Sequence, residues 1–254
     1  MAVYHGLYLG MNAEPHQGIE EDSSTQKYPL GTFFDDEYGR RFRYALNGAG
    51  ALVAGDLVQG PILGGATTTE QTVAIIGAQT AAGNTKIPVA ALTTNQAAGK
   101  FDEGWAAFED TSAVATYLRR IKTQPALVHT TWVDAYIELY EALPIQLETT
   151  DFVAMITSPY KGIIKAVAAT LTGPGLGGVC APITAAYYCW VQTRGPFGVH
   201  IKDGAMTIGM GFQVGASTAA TPASMTELLF GQMFGYALMA GADEGAGIVM
   251  LTCE

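Results

Sequence analysis

The chain of 254 residues carries 13 Lys and Arg against 23 Asp and Glu, a formal net charge of −10. This balance argues against a protein that binds nucleic acid through its phosphates, because phosphate binding needs clustered Lys and Arg. Only 14% of the residues are charged and 49% are hydrophobic, whereas about 25% are charged in an ordinary soluble domain. Either other subunits cover much of the surface, or small polar and apolar residues line it.

Residues 1–27 are predicted to form an extended N-terminal arm. An apolar start is followed by a polar stretch that includes Glu20, Glu21 and Asp22 and cannot bury enough apolar surface to order itself. The apolar start could grip a neighbouring subunit, or it could add an edge strand to its own body. Its apolar residues are Val3, Tyr4, Leu7, Tyr8 and Leu9.

The sequence predicts neither export by a signal peptide nor insertion into a membrane. No basic stretch followed by an apolar core opens the chain, as a secretory signal would require. No apolar run approaches the roughly 20 residues of a spanning helix. We therefore expect no membrane partner.

From Tyr28 onward the pattern is typical of a mainly β protein, with a sandwich-like or barrel-like body. Many short runs rich in β-branched and aromatic residues are bounded by Gly, Pro, Asn or Thr, and they recur about every ten residues. The runs before the last third of the chain are 41–46, 51–59, 71–76, 85–92, 105–109, 114–122, 132–143, 151–156 and 162–168.

At most one or two short helices are expected. The spacing of apolar residues in 131–143 would fit a helix, but its alternation and its aromatic content favour a strand. The segment Pro222–Leu238 is the better helix candidate, because Ser224 and Glu227 form a capping-box pattern.

The body is predicted to consist of two β lobes. The Gly- and Pro-rich segment 171–178 reads as a linker between them. Residues 28–66 and 171–254 would then form one lobe, and residues 67–170 a second lobe or an insertion.

The basic group at Arg40, Arg41 and Arg43 follows an acidic run. On an alternating strand, Arg41 and Arg43 share one face and Phe42 and Tyr44 the other. We interpret the arginine face as solvated, or as an intersubunit salt-bridge face, in preference to a nucleic-acid site.

An aromatic strand is predicted near residue 188. Tyr188, Trp190, Gln192 and Arg194 would project to one side and the residues between them to the other. The dipeptide at 195–196, Gly-Pro, is expected to end the strand, which would begin again at Phe197.

Three segments of the chain carry a resemblance. They are YYCWVQTRGPFGV around Trp190, GRRFRYALNGAGALVAGDLVQG at 39–60 and GYALMAGADEGAGIVMLTCE at 235–254. They resemble tailed-bacteriophage virion proteins of the head decoration, or cement, type. The resemblance implies a structural protein of the virion, made in the host cytoplasm and located on the capsid exterior. Its partners would be the major capsid protein and further copies of itself, most simply in a trimer.

No motif for catalysis, a cofactor or a metal is apparent in the sequence. The glycine-rich runs lack a strand, GxGxxG, helix context, and the four histidines and three cysteines lack metal-ligand spacing. We therefore predict that the protein is not an enzyme.

The alternative function is a tail or fibre module that binds a receptor or a glycan through Tyr188, Trp190 and Arg194. For the decoration function, the candidate contacts are Val3, Tyr4, Leu7, Tyr8, Leu9, Arg41, Arg43, Tyr188, Trp190 and Arg194.

Overall fold

The computed structural model describes residues 17–61, 71–90, 95–112, 115–128, 135–167, 172–202, 204–215, 219, 221–224 and 232–253. Within these ranges every regular element is a strand and none is a helix, so the mainly β class is confirmed. In chain order the strands are β1 (Phe33–Asp35), β2 (Arg41–Asn47), β3 (Leu57–Gln59), β4 (Gln71–Ile76), β5 (Lys86–Ala90), β6 (Trp105–Asp110), β7 (Ala115–Thr123), β8 (Tyr136–Leu139), β9 (Phe152–Ile156), β10 (Lys161–Lys165), β11 (Gly175–Val179), β12 (Tyr188–His200), β13 (Gly211–Val214), β14 (Pro222–Ser224), β15 (Gly235–Ala237) and β16 (Ala246–Thr252).

The chain divides into two compact units, Met1–Ile62 with Pro159–Glu254, and Leu63–Ser158. The first unit holds a sheet in the order β1-β2-β10-β3-β11-β12-β16-β15-β13-β14, in which β12 also pairs with β2. That extra pairing closes β2, β10, β3, β11 and β12 into a five-stranded barrel. The strands β16, β15, β13 and β14 extend the sheet beyond the barrel.

The predicted alternation of β12 is confirmed at its start. Cys189 and Val191 pack inside the barrel with Ala45. Trp190 faces the other way and packs with Tyr44 in an aromatic cluster. Both faces of this half of the strand are therefore covered by its own unit.

The strand does not end at Gly195, as predicted, but continues to His200. A bulge lies between Gln192 and Arg194, and Gly195 has φ 96° where a Cβ would lie 3.0 Å from the Cα of Arg40. Beyond Arg194 the strand pairs with β16 and no longer with β2. A strand paired on one side tolerates Pro196, which has no N–H to donate.

The predicted linker 171–178 is wrong from Gly175 onward, because this segment forms the fully buried strand β11 between β3 and β12. A Cβ at Gly177 would overlap the carbonyl oxygen of Gln192, and one at Gly178 would overlap the ring of Phe197. The glycines therefore serve close packing. The predicted lobe boundary also shifts, since β10 pairs with β2 and β3 of the first unit.

The helix predicted over Pro222–Leu238 is wrong at both described ends. Pro222–Ser224 and Gly235–Ala237 are strands that pair with β13, and residues 225–231 lie outside the described ranges. Strand pairing has overridden the local capping pattern. In the segment 131–143, residues Tyr136–Leu139 form a strand, as the alternation indicated.

The second unit is a closed six-stranded barrel in the order β4-β5-β8-β7-β6-β9. Its interior is apolar and includes Phe101, Phe108, Ile121 and Ile137. Asp151 is buried at one turn of the chain. Its carboxylate accepts hydrogen bonds from the backbone N–H groups of Thr111 and Glu148 and from the Thr111 hydroxyl, at 2.8–3.0 Å.

Candidate interaction surfaces

The predicted contact residues Arg41 and Arg43 are half-buried and already bonded within their own unit. The guanidinium of Arg41 donates to both carboxylate oxygens of Asp35, at 2.6 and 2.7 Å, and lies 5.0 Å from the centroid of the Phe33 ring. Arg43 donates to the carbonyl of Gly31 at 2.9 Å. The hydrogen bond from Arg41 holds the pKa of Asp35 below its usual value. These arginines stabilise the edge of the barrel, and part of each remains accessible.

Arg194 is exposed and lies across from Arg41 in the pairing of β12 with β2. Its positive charge also lowers the pKa of Asp35. Of the three predicted arginines it offers the most accessible guanidinium.

Trp190 is fully buried and has no surface to offer a partner or a glycan. Its ring centroid lies 5.1 Å from that of Tyr44, and its indole N–H donates to the backbone carbonyl of Gln17 at 2.9 Å. Tyr188 is half-buried and stacks on Tyr44 at 5.9 Å. The predicted platform of Tyr188, Trp190 and Arg194 is therefore corrected: its central residue is a core residue.

The later part of the predicted arm, residues 17–27, is bonded to its own unit. The Gln17 amide nitrogen donates to the carbonyls of Glu21 and Tyr188, at 2.9 and 2.8 Å. Ser23 and Tyr188 exchange two backbone hydrogen bonds, and the Asp22 carboxylate accepts from the N–H of Thr184 at 2.7 Å. These hydrogen bonds hold the stretch on its own unit, and the partly buried Ile19 packs against the aromatic cluster. Val3, Tyr4, Leu7, Tyr8 and Leu9 lie outside the described residues.

The second unit presents an exposed apolar surface on β4, β9, β6 and β7. Val73, Ala154, Ala107 and Leu118 lie directly across from one another, so they form one row over four strands. Trp105 and Ile156 pair on one side of this row. On the other side Phe152 lies across from Ile75 and Glu109. We call this surface the barrel face, and its apolar members are Val73, Ile75, Trp105, Ala107, Leu118, Phe152, Ala154 and Ile156.

The middle of the barrel face is recessed, and larger side chains project around it. The two alanines occupy the middle of the row, while Val73 and Leu118 at its ends are 55% and 56% exposed. Trp105 and Phe152 are 39% and 42% exposed. A shallow depression of about 490 Å³ lies over the alanines. The surface can receive an apolar projection of a partner.

The first unit has a second exposed apolar surface, on β12, β16 and β15. Pro196, Met250 and Tyr236 lie across from one another, and Gly198 lies across from Ile248. Ile248 is 46% exposed and Tyr236 is 40% exposed. We call this surface the sheet face. Each unit thus carries one apolar face of its own.

Sequence reasoning missed both faces, although a signal was present. In β9, with the sequence FVAMI, both alternating sets of side chains are apolar. A strand of this kind is covered on both faces or exposes one apolar face. In β9, Val153 and Met155 lie inside the barrel, and Phe152, Ala154 and Ile156 lie outside.

Burial keeps two cysteine thiols of the described residues unreactive. Burial raises the pKa of the Cys189 thiol to about 12 and that of Cys180 to about 11, so both thiols stay protonated and weakly nucleophilic. Across the described ranges no group of three His, Cys, Asp or Glu side chains could hold a metal ion.

Comparisons with known proteins give no assignment. No family model, no curated protein and no solved structure matches the chain. In the part of the chain that the structure describes, no helix is long and apolar enough to cross a membrane.

Proposed function

We propose that this protein is a structural component of a tailed-phage virion, a decoration or cement protein that binds the exterior of the head. It binds as a homo-oligomer, most simply a trimer, across the junctions between capsomers. The observation that carries the proposal is the pair of apolar faces, one on each unit. The resemblance of the segments around Arg41, Trp190 and Val249 supports the same assignment.

Two exposed apolar faces on one chain suit a protein that links neighbouring subunits of an assembly. A soluble monomer rarely exposes a contiguous apolar patch of more than a few hundred Å² unless the patch binds something. Two separate patches allow one copy to bind two partners. Around a shell, such contacts act together, and each can be weak while the assembly is stable. The partners are the major capsid protein and other copies of this chain.

The buried position of Trp190 removes the main support for a glycan-binding function. A sugar platform requires an aromatic ring that solvent can reach, and this ring is covered by Tyr28, Phe34 and Tyr44. A decoration protein needs no such platform.

The test is the copy number and location of the protein in particles of the phage that encodes it. Quantitative mass spectrometry against the major capsid protein should give hundreds of copies per virion, and immunogold labelling should mark the head. A handful of copies, or label confined to the tail, would show that the proposal is wrong.

A further inference from the structure

Three arginines lie around a single carboxylate at one end of the first unit's barrel. Asp35, Arg41 and Arg194 lie directly across from one another on β1, β2 and β12, and Arg43 follows on the same face of β2. All three guanidinium groups act electrostatically on Asp35. We call Arg41, Arg43 and Arg194 the arginine cluster. It carries an excess of positive charge, although the chain as a whole carries −10.

Arg194 is the member of the arginine cluster that lacks an anion of its own. Among the described residues, none forms an ion pair or a hydrogen bond with its exposed guanidinium. The carboxylates of Asp36 and Glu37 are bonded within the β1–β2 turn. Like charges directly opposite each other on neighbouring strands destabilise a sheet, and Arg194 lies opposite Arg41. A carboxylate from a partner would relieve this repulsion, since a guanidinium binds one through two parallel hydrogen bonds.

An acidic turn lies at the opposite end of the same pair of strands. The strands β12 and β16 pair over seven positions, with Arg194 at one end of the ladder and His200 at the other. At about 3.3 Å for each residue, the ladder is roughly 20 Å long. The turn that enters β16 lies at the His200 end and contains Asp243 and Glu244, both exposed. One sheet therefore carries the arginine cluster at one end and an acidic turn at the other.

The acidic turn is anchored, and its second carboxylate is available. The Asp243 carboxylate accepts a hydrogen bond from the N–H of Gly204 at 3.1 Å, and Glu244 follows with φ 59°. In the part of the chain that the structure describes, the Glu244 carboxylate has no bonding partner, and Lys202 makes no ion pair with it. A preformed turn loses little conformational entropy on binding. Glu244 can therefore bind a guanidinium of another molecule at small cost.

We propose that the acidic turn of one copy of this chain binds the arginine cluster of the next copy, with Glu244 on Arg194. The two surfaces differ and lie at opposite ends of one sheet, so the contact is head-to-tail. Contacts of this type close into a ring when the rotation between copies allows it. A ring of three copies is the trimer of the proposed function, and this part of the inference rests on that function. Charge complementarity also fixes the orientation of neighbouring copies.

The contact is weak in solution and has to be measured at a suitable salt concentration. Each copy carries −10, so two copies repel each other at low ionic strength. At about 0.1 M salt the screening length is roughly 10 Å, which weakens this long-range repulsion more than the attraction between charges in contact. Exposed ion pairs are individually weak. Copies held on a shell meet at effective concentrations in the millimolar range, where a weak contact is largely formed.

The experiment measures self-association of the full chain by sedimentation velocity, from about 10 µM to about 1 mM protein in about 0.1 M salt. The average mass of the wild type should rise with concentration. Arg194→Glu and Glu244→Arg each place like charges in the contact, and each should weaken association at least about tenfold. The variant that combines both changes restores an opposite-charge pair and should associate within about threefold of the wild type.

Two controls make the same changes of net charge elsewhere on the first unit. Lys27→Glu matches Arg194→Glu, and Glu20→Arg matches Glu244→Arg. All four positions are exposed, so every variant should melt like the wild type, and both controls should also associate like it.

The inference is overturned if the wild type keeps a constant mass up to the highest concentration, or if a control loses as much association as the variant it matches. It is also overturned if the combined variant stays as weak as either single change. The copy number in virions is measured separately, so either proposal can fail without the other.

Discussion

The indole N–H of Trp190 donates to the backbone carbonyl of Gln17, 173 positions earlier in the chain. The Gln17 side chain also accepts a hydrogen bond from the Tyr44 hydroxyl, at 2.8 Å. One residue of the N-terminal segment thus satisfies two buried donors of the aromatic cluster. Burial in this cluster raises the pKa of Tyr44 to about 12, so its hydroxyl remains a donor at all ordinary pH values.

Removing Gln17 should therefore destabilise the first unit. Deletion of residues 1–27 takes away this residue and uncovers Trp190, and we expect a large fall in the melting temperature or loss of folding. Deletion of residues 1–16 leaves these bonds in place and should change the melting temperature little. Circular dichroism melting of the two truncations makes the comparison. Equal stability of both would contradict the role assigned to Gln17.

Single substitutions in the aromatic cluster should also lower the free energy of unfolding. Trp190→Ala removes a fully buried ring and should cost about 3–5 kcal/mol of unfolding free energy. Gln17→Ala leaves the Tyr44 hydroxyl and the Tyr188 carbonyl without this partner and should cost about 1–3 kcal/mol. Urea denaturation measures both. A Trp190→Ala protein as stable as the wild type would show that the ring is not a core residue.

Gly177 should not tolerate a side chain. It has φ 136°, and a Cβ would overlap the carbonyl of Gln192 on the neighbouring strand. Gly177→Ala should cost about 3 kcal/mol or more. Gly198→Ala is the control, because a Cβ there meets nothing within 4 Å. Similar melting temperatures for the two variants would contradict the close packing of β11.

Asp151 should make the second unit sensitive to acid. Burial alone would raise the pKa of its carboxyl, but hydrogen bonds from Glu148 and Thr111 outweigh burial and hold it below the usual value. A carboxyl with a lowered folded-state pKa stabilises the fold above its unfolded pKa of about 3.9, and this stability is lost as pH falls through the folded value.

Asp151→Asn tests this expectation. The variant should lose about 1–3 kcal/mol at pH 7, because an amide N–H replaces one acceptor oxygen. Its stability should then fall less than that of the wild type on acidification below about pH 4. Melting at a series of pH values gives both curves. If the stability of the two proteins fell in parallel with pH, another carboxyl would be responsible for the acid sensitivity.

Cys189 should resist thiol reagents in the folded protein. Burial raises its pKa to about 12, so little thiolate exists at pH 8 and the reagent has no path to it. Alkylation followed by peptide mass spectrometry should label this residue only after denaturation. Rapid labelling at native pH would show that the barrel interior opens readily.

The strands were predictable where side chains alternate and turn residues bound the run. The run at 71–76 coincides with β4, and the alternation of Trp190 with Cys189 and Val191 matches the two sides of β12. The linker prediction failed at β11, because glycine is common both in flexible linkers and in tightly packed strands. Whether these glycines lie in a linker or in a packed strand depends on their contacts with Gln192 and Phe197, which lie further along the chain.

The barrel face was harder to predict for a similar reason. Sequence shows that Val73, Ala107 and Leu118 are apolar residues in strands. It does not show that they share one row, because pairing of β4 with β9, and of β9 with β6, sets the register. The barrel face exists only because the order and register of the strands bring these side chains together.

The pairing of β2 with β12 has a consequence for the order of events during synthesis. The strands of the second unit are contiguous, so its barrel can close once residue 156 has left the ribosome. The first barrel must wait for β12, whose partner Tyr44 was made about 146 residues before Trp190. Pairings so distant in sequence form slowly. The second unit should therefore fold while the first is still open, with β2 paired to β1 but not yet to β12.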